Sequence, residues 1–449
     1  MPSFTLFWIA TYSLGLLLAF ANPIIGAYTY LFEYYLRPSL HWWGRDHLPL
    51  LRWNLVVSIV LVLAYFARQS SLRALPPMPR GPVKYLALML VWMVVLSPFA
   101  ASPRTWDAVD QFWRMLLFPA MAILTVRTPL AFDGFVAVHM FGAGWWGWEA
   151  YQDPKRVAGR LANIGSGDTL GDNFAAIHLL TVVPFIAVYF LVHREKWLRV
   201  LSTIVAPFVI NAFILCNSRG ATVGMLGMLS YATLVSKRGH RVRIMGAAIG
   251  MLVAVYVLAD PQFIERQQTT SRYEQDGSAQ QRLASWSGGA RLLAAHPLGA
   301  GGNGFEELSP IYIPEVVEAN GGEKRAPHNT WLLIACDWGI PGLVLMVAFY
   351  VSSLKLTREI RRRAPEGGIW YYRALAIELS LVGIIVAGMF SDRLYAEAPY
   401  WMGALAVALH RLQSNEMVQT ESAPAISPQQ AAANVLQRFG VAAPAQAPQ

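Results

Sequence analysis

The chain carries little charge: of its 449 residues only 14% are Asp, Glu, Lys or Arg, while 55% are hydrophobic. A soluble domain holds roughly a quarter charged residues, so the deficit excludes a water-soluble fold for most of the length. Cysteine is scarce too. Cys216 and Cys336 are the only two, which excludes a disulfide framework and a thiolate metal cluster and leaves each as a small apolar residue. No Asp-x-Asp pair or histidine cluster offers itself to a divalent cation, and no glycine-rich nucleotide-phosphate loop is present. The run ending in Ala19-Phe20-Ala21 resembles a signal-peptidase site, yet no basic residue precedes it, so an uncleaved first helix is expected.

What the chain does have is apolar runs of about 20 residues, each able to cross a hydrocarbon core of about 30 Å, recurring from Phe4 to Leu412. They predict an all-α polytopic membrane protein of about 12 transmembrane helices. One membrane domain then occupies residues 1–412, with a large polar insertion at 259–327 between the ninth and tenth helices. The Ala-, Pro- and Gln-rich stretch 413–449 is expected to be a disordered cytoplasmic tail.

The net charge of +9 does not call for nucleic acid, because alternate loops gather it. Arg68, Arg73, Arg80, Lys84, Arg127, Lys237, Arg241 and Arg361 to Arg363 fall on one side, where bases outnumber acids several-fold. That asymmetry marks the cytoplasmic face and puts both termini there. The unusual loops, Ala21 to Leu50, Glu149 to Asn173 and the insertion, face outward, so a site is expected on that side. Trp42-Trp43, Trp145-Trp146 and Trp148 sit at predicted span ends, where interfacial anchoring explains them.

Four outward features carry candidate chemistry. Arg219, in Ser218-Arg219-Gly220, stands in a short turn between two apolar spans; a guanidinium there calls for an anionic partner, although a headgroup contact is the plain reading. In the insertion, Arg282 and Arg291 precede His296-Pro297-Leu298-Gly299-Ala300-Gly301-Gly302-Asn303-Gly304, a glycine loop expected to expose backbone amides suited to phosphate. His328-Asn329 opens the tenth helix at the outer mouth and offers an imidazole for proton transfer. Finally Arg160, with Asp172 at the start of the sixth span, supplies another cation and a carboxylate or helix cap. Asp337 does not orient His328 in a regular helix: 337 − 328 = 9 residues at about 100° each leave it half a turn out of phase. It and Glu378 are expected to bond neighbouring helices.

Taken in order, Asp172-Asn173, Ser218-Arg219-Gly220, the Arg282, Trp286 and His296-Pro297-Leu298-Gly299 segment, and His328-Asn329 followed by Gly339-Ile340-Pro341-Gly342 resemble the O-antigen ligase and O-antigen polymerase superfamily. The resemblance implies a GT-C-like glycosyltransferase of the bacterial inner membrane. It implies an undecaprenyl diphosphate-linked glycan as donor, a lipid A-core sugar as acceptor in the ligase branch, and a periplasmic active site. On that basis His328 is the expected general base and Arg219, Arg282, Arg160 and Arg291 the diphosphate contacts. Asn329, Asp337 and Asp172 support them, although many members carry Glu where Asp337 stands. Fixed arginine charge takes the place of a metal, so no metal or cofactor is expected. Other readings are a polymerase or protein O-oligosaccharyltransferase of the same superfamily and, from another class, a secondary transporter, which usually has midplane charges and internal repeats.

Overall fold

Apolar runs broken by Pro, Gly and charged turns yield a chain that is almost wholly helical. The computed structural model describes residues 2–422 except 158, 163, 193–194, 237, 260, 269–276 and 366. Helices α1 (Ser3–Ala19), α2 (Pro23–Tyr35), α3 (Trp42–Arg45), α4 (Trp53–Arg68), α5 (Arg80–Leu96), α6 (Thr105–Thr125) and α7 (Pro129–Gln152) lead to a short antiparallel hairpin of β1 (Arg156–Val157) and β2 (Arg160–Leu161). Then come α8 (Asp172–Leu179), α9 (Val183–Leu191), α10 (Lys196–Cys216), α11 (Arg219–Val235) and α12 (Arg238–Leu258). The insertion forms α13 (Pro261–Gln268), α14 (Gly277–Ala295), α15 (Gly304–Tyr312) and α16 (Pro314–Ala319), before α17 (Thr330–Arg363), α18 (Ile369–Ala387) and α19 (Ala398–Ser422).

Among the described residues, six helical stretches are long and apolar enough to cross a membrane, the longest being Thr330–Arg363, and Ser3–Ala19 and Ile244–Leu258 are shorter apolar helices. Their outward faces carry Phe7, Leu17, Leu63, Val95 and Tyr256, all exposed, as lipid-facing helices require. Charge inside the bundle is paired: Arg373 bonds Asp133, and Glu378 takes Arg358, Arg361 and Tyr231.

The stretch Ala21 to Leu50, expected as an outer loop, instead contains α2, which runs back through the bundle. Asn22 caps it and Pro23 occupies its first turn. The Tyr28 hydroxyl donates to the Ala131 carbonyl at the start of α7, and Trp146 near the end of α7 donates to the Tyr35 carbonyl. α2 therefore spans the bundle beside α7. At 13 residues it falls below the length of a hydropathy span, and its Thr29, Glu33 and tyrosines are buried against protein, not lipid.

This extra traverse reverses α1. Thr5 donates to the Trp43 carbonyl at the end of the bundle that carries the insertion, whereas Arg68 donates to the Phe20 carbonyl at the other, basic end. At that basic end Arg411 of α19 also reaches the carbonyls of Pro76 and Ile123. Thr5 and Arg411 thus lie at opposite ends of the helix bundle. α19 itself continues past Gln413 to Ser422; the remainder of the expected tail lies outside the described residues.

The insertion is locked to α17 at a break. Gly339 has φ 68°, and Pro341 lacks the N–H that the Asp337 carbonyl would receive in a continuous helix. The glycine loop supplies the missing donors: Ala300 N–H bonds the Cys336 carbonyl at 2.9 Å and Gly301 N–H that of Asp337 at 2.8 Å, while Ile340 N–H bonds the Pro297 carbonyl at 3.1 Å. A Cβ at Gly339 would fall 2.2 Å from the Leu298 carbonyl carbon, so the close approach requires glycine. Leu292, Phe305, Ile313, Val316 and Val317 form a small second core against Cys336.

Candidate active site

The mouth of α17 is built from a cap. The Asn329 side chain accepts from the N–H groups of Trp331 and Leu332, at 3.0 and 3.2 Å, satisfying two first-turn donors. Its own N–H donates to Asp392 Oδ1 at 3.1 Å. Thr330 donates to the Ser391 carbonyl at 2.6 Å and accepts from Arg393 N–H at 2.9 Å. The turn between α18 and α19 is thereby clamped to the start of α17. His328 takes a left-handed backbone, φ 51°, uncommon for a residue with a Cβ and held by this clamp. Its Nδ1 lies 3.3 Å from Asp392 Oδ2, the imidazole half exposed (50%) and the carboxylate largely covered (14%).

Behind this pair Arg393 is buried. Its guanidinium stands over the Phe174 ring at 4.9 Å, donates to the Asp168 carbonyl at 3.3 Å and lies 3.9 Å from the Asp168 carboxylate. Asp168 also accepts from the Tyr34 hydroxyl at 2.8 Å and Glu397 N–H at 2.9 Å. Glu397, in the turn outside the membrane-traversing helices, takes the Tyr30 hydroxyl at 2.9 Å and the Trp401 indole at 3.2 Å. Burial, reinforced by the neighbouring Asp168 charge, pushes the Glu397 carboxyl up to about 8. Asp168 and Glu397 line a cleft of about 720 Å³ whose other walls carry Arg37, Arg52 and Arg114.

Arg219 starts α11 beside the same turn. Ser218 caps the helix by accepting Ala221 N–H at 3.3 Å, and a Cβ at Gly220 would lie 2.8 Å from Phe390 Cβ, two residues before Asp392. Residues 205–347, which run from within α10 to within α17 and include Arg219, Arg282 and His328, match the family model described as O-antigen ligase. The match spans residues 205–347 of the 449 and supports the resemblance to the O-antigen ligase and polymerase superfamily. No curated protein matches the chain.

The structure gathers some of the expected residues and separates others. His328 and Asn329 meet at Asp392, and the Arg219 turn packs on Phe390 of the same inter-helix segment. Arg160 is ion-paired with Asp172 at 2.9 Å, and Asp172 Oδ1 also accepts Asn173 N–H at the start of α8. Arg282 is half-buried on α14. Arg291 donates to the Tyr312 carbonyl at 2.5 Å and so ties α14 to the end of α15. Asp337, fully buried, accepts N–H groups of Asn303 and Phe305 at 3.0 Å each and so caps α15. The glycine loop departs from expectation: the amides of Ala300, Gly301, Asn303 and Phe305 are spent on α17 and are not presented to a ligand. The long apolar helices support a multi-pass membrane protein, and the family matched is one of glycosyltransferase-like enzymes.

Asp392, Arg393 and Glu397 escaped the sequence reading. Their segment, Ser391-Asp392-Arg393-Leu394-Tyr395-Ala396-Glu397, is a short charged turn between two apolar spans on the same side as Arg219, and the argument applied to Arg219 applies to it equally. Among the described residues no group of three His, Cys, Asp or Glu side chains gathers as a metal site.

Proposed function

We propose that this protein is an O-antigen ligase: it transfers glycan from undecaprenyl diphosphate to a lipid A-core sugar on the periplasmic face of the inner membrane. The observation that carries the reading is the pairing of His328 with Asp392 inside a ligase-family chain. A carboxylate facing Nδ1 favours the tautomer with the proton there and leaves a lone pair on the exposed Nε2. Nε2 takes the proton of the acceptor hydroxyl, whose oxygen attacks the anomeric carbon from the face opposite the diphosphate. The bond to the diphosphate oxygen breaks with its electron pair, and configuration inverts.

Positive charge must meet that departing oxygen. Arg219, beside the Asp392 turn, and Arg282 are assigned to the diphosphate. Arg160, steered by Asp172, and Arg291, anchored at Tyr312, take the outer positions of the donor site. Asn329 holds the mouth of α17, and Asp337 holds the insertion above it. Arginine charge serves without a metal, and cleavage of the diphosphate linkage supplies the driving force without nucleotide.

The test is transfer in nanodiscs, with EDTA and no nucleotide, from the carrier-linked glycan to lipid A core. Wild type is expected to transfer, and His328→Ala to lose at least about 100-fold in rate at unchanged protein level. Full activity in His328→Ala, or an untouched donor with wild type, would sink the assignment; longer carrier-linked chains in place of lipid A product would establish a polymerase.

A further inference from the structure

A second cleft, of about 670 Å³, opens on the same end of the molecule and is walled by tryptophan. Trp42 and Trp148 are exposed (65% and 40%), whereas Trp43 and Trp146 are buried in its walls. Phe4 stacks on Trp145 at 5.1 Å, Trp145 meets Trp148 at 4.8 Å, and His41 lies flat on Trp43 at 5.4 Å. Polar groups share the lining. His41 Nδ1 sits 3.2 Å from Glu149, Lys155 pairs with Asp153 at 2.8 Å, and Gln152 also lines the cleft.

Interfacial anchoring fits the exposed Trp42 and Trp148 but does not account for the whole arrangement, since Trp43 and Trp146 are buried against other aromatic rings in the cleft wall. Charge argues against an anionic ligand too. The cations of the lining, Arg45 and Lys155, are each matched by an adjacent carboxylate, Asp46 and Asp153, so the cleft has no unmatched positive charge to hold an anion. Exposed aromatic faces beside hydrogen-bonding carboxylate, imidazole and amide groups suit a neutral polyhydroxylated ligand: a pyranose ring lays its C–H face on an indole and turns its hydroxyls to the polar groups.

Position adds a second argument. β2 and the loop after it form a partition: Leu161, Ile164, Gly165 and Leu170 line the tryptophan cleft, while Ser166, Gly167 and Asp168 line the arginine-rimmed cleft. Asp168 is the residue that holds Arg393 behind the His328–Asp392 pair.

We propose that the tryptophan cleft is a glycan-binding site that grips sugar residues of a carbohydrate chain remote from the bond being made. That the chain gripped is one the protein transfers rests on the ligase reading; that the cleft binds sugar does not. Binding energy gained on non-reacting sugars would position the reacting one.

The probe is the lipid-free oligosaccharide released from the host bacterium's lipopolysaccharide by mild acid. It is titrated into purified protein in phosphatidylethanolamine and phosphatidylglycerol nanodiscs, free of glycoside detergent, with binding read by saturation-transfer NMR. Wild type and His328→Ala are expected to bind alike, Trp148→Ala and Glu149→Gln to weaken binding by about tenfold or more, and Trp148→Phe to retain it, all at matched melting temperature. In transfer assays Trp148→Ala should raise KM for the glycan substrate and leave kcat near wild type. Absent binding, unchanged binding in Trp148→Ala, or displacement of the oligosaccharide by glycerol phosphate would overturn the proposal. Transfer by wild type together with any of these results removes the cleft and leaves the ligase reading standing. Trp148-dependent binding by a wild type that transfers nothing removes the ligase reading and leaves the cleft.

Discussion

His328 is useful as a base only while Nε2 is free of its proton, and Asp392 is the group that can keep it so. Asp392→Asn replaces an acceptor by an amide whose NH₂ can donate to Nδ1, which moves the imidazole proton to Nε2. We expect transfer to fall by about 10- to 100-fold, with the pH profile altered and protein level unchanged; a variant whose rate and profile match wild type would remove Asp392 from the mechanism. Glu397 makes a separate prediction. Its carboxyl titrates near 4.5 ordinarily and about 8 in the fold, so between those values the folded state holds the extra proton. That contribution is fully present below pH 4.5 and lost as pH rises to 8. Glu397→Gln, which resembles the protonated form, should therefore flatten the decline of melting temperature over this window. An unchanged slope would mean that Glu397 is ionised beside Asp168. Of these residues His328 was legible from sequence, because a lone imidazole opening an apolar helix stands out. Asp392 was not, since 392 − 328 = 64 residues separate the partners and only the Thr330–Ser391 clamp brings them together.

Elements repeat that lesson in the backbone. The Gly-Ile-Pro-Gly run within α17 and the glycine loop of the insertion were both visible, but each was read alone. Pro341 strands the Asp337 carbonyl, and the loop amide of Gly301 satisfies it; the two irregular segments complete one another. Asp337 extends the junction by capping α15 through Asn303 and Phe305. Asp337→Ala would leave two buried N–H groups without acceptors, at a cost of about 1–3 kcal/mol each. We expect a lowered melting temperature and faster proteolysis within 277–327 than within α10 or α18. Uniform sensitivity across the chain would show that the insertion is not held through this carboxylate. Helix identity was otherwise readable wherever an apolar run approached 20 residues. α2 was missed because its short length and its tyrosines, threonine and glutamate look like loop when burial against other helices is invisible.

At the scale of the whole molecule, α2 decides topology. Counting charged loops around spans gives an even number of crossings; inserting one traverse between α1 and α4 makes the number odd and separates the chain ends. The contacts are specific. Thr5 meets Trp43 at the end bearing His328, while Arg411 meets Pro76 and Ile123 at the basic end. The positive-inside rule puts the basic end in the cytoplasm, so Ser3 should face the periplasm and Ser414 the cytoplasm. In a Cys216→Ala/Cys336→Ala background, single cysteines at positions 3 and 414 report this directly. A membrane-impermeant maleimide added to cells with a permeabilised outer membrane should label position 3 at once and position 414 only after the inner membrane is opened. Protection of both positions would mean that α2 does not carry the chain across and that the loop count was right. Labelling of position 414 alone would invert the molecule and put His328 on the cytoplasmic side. A periplasmic transfer reaction would then be impossible, so this one measurement bears on the function as well as the fold.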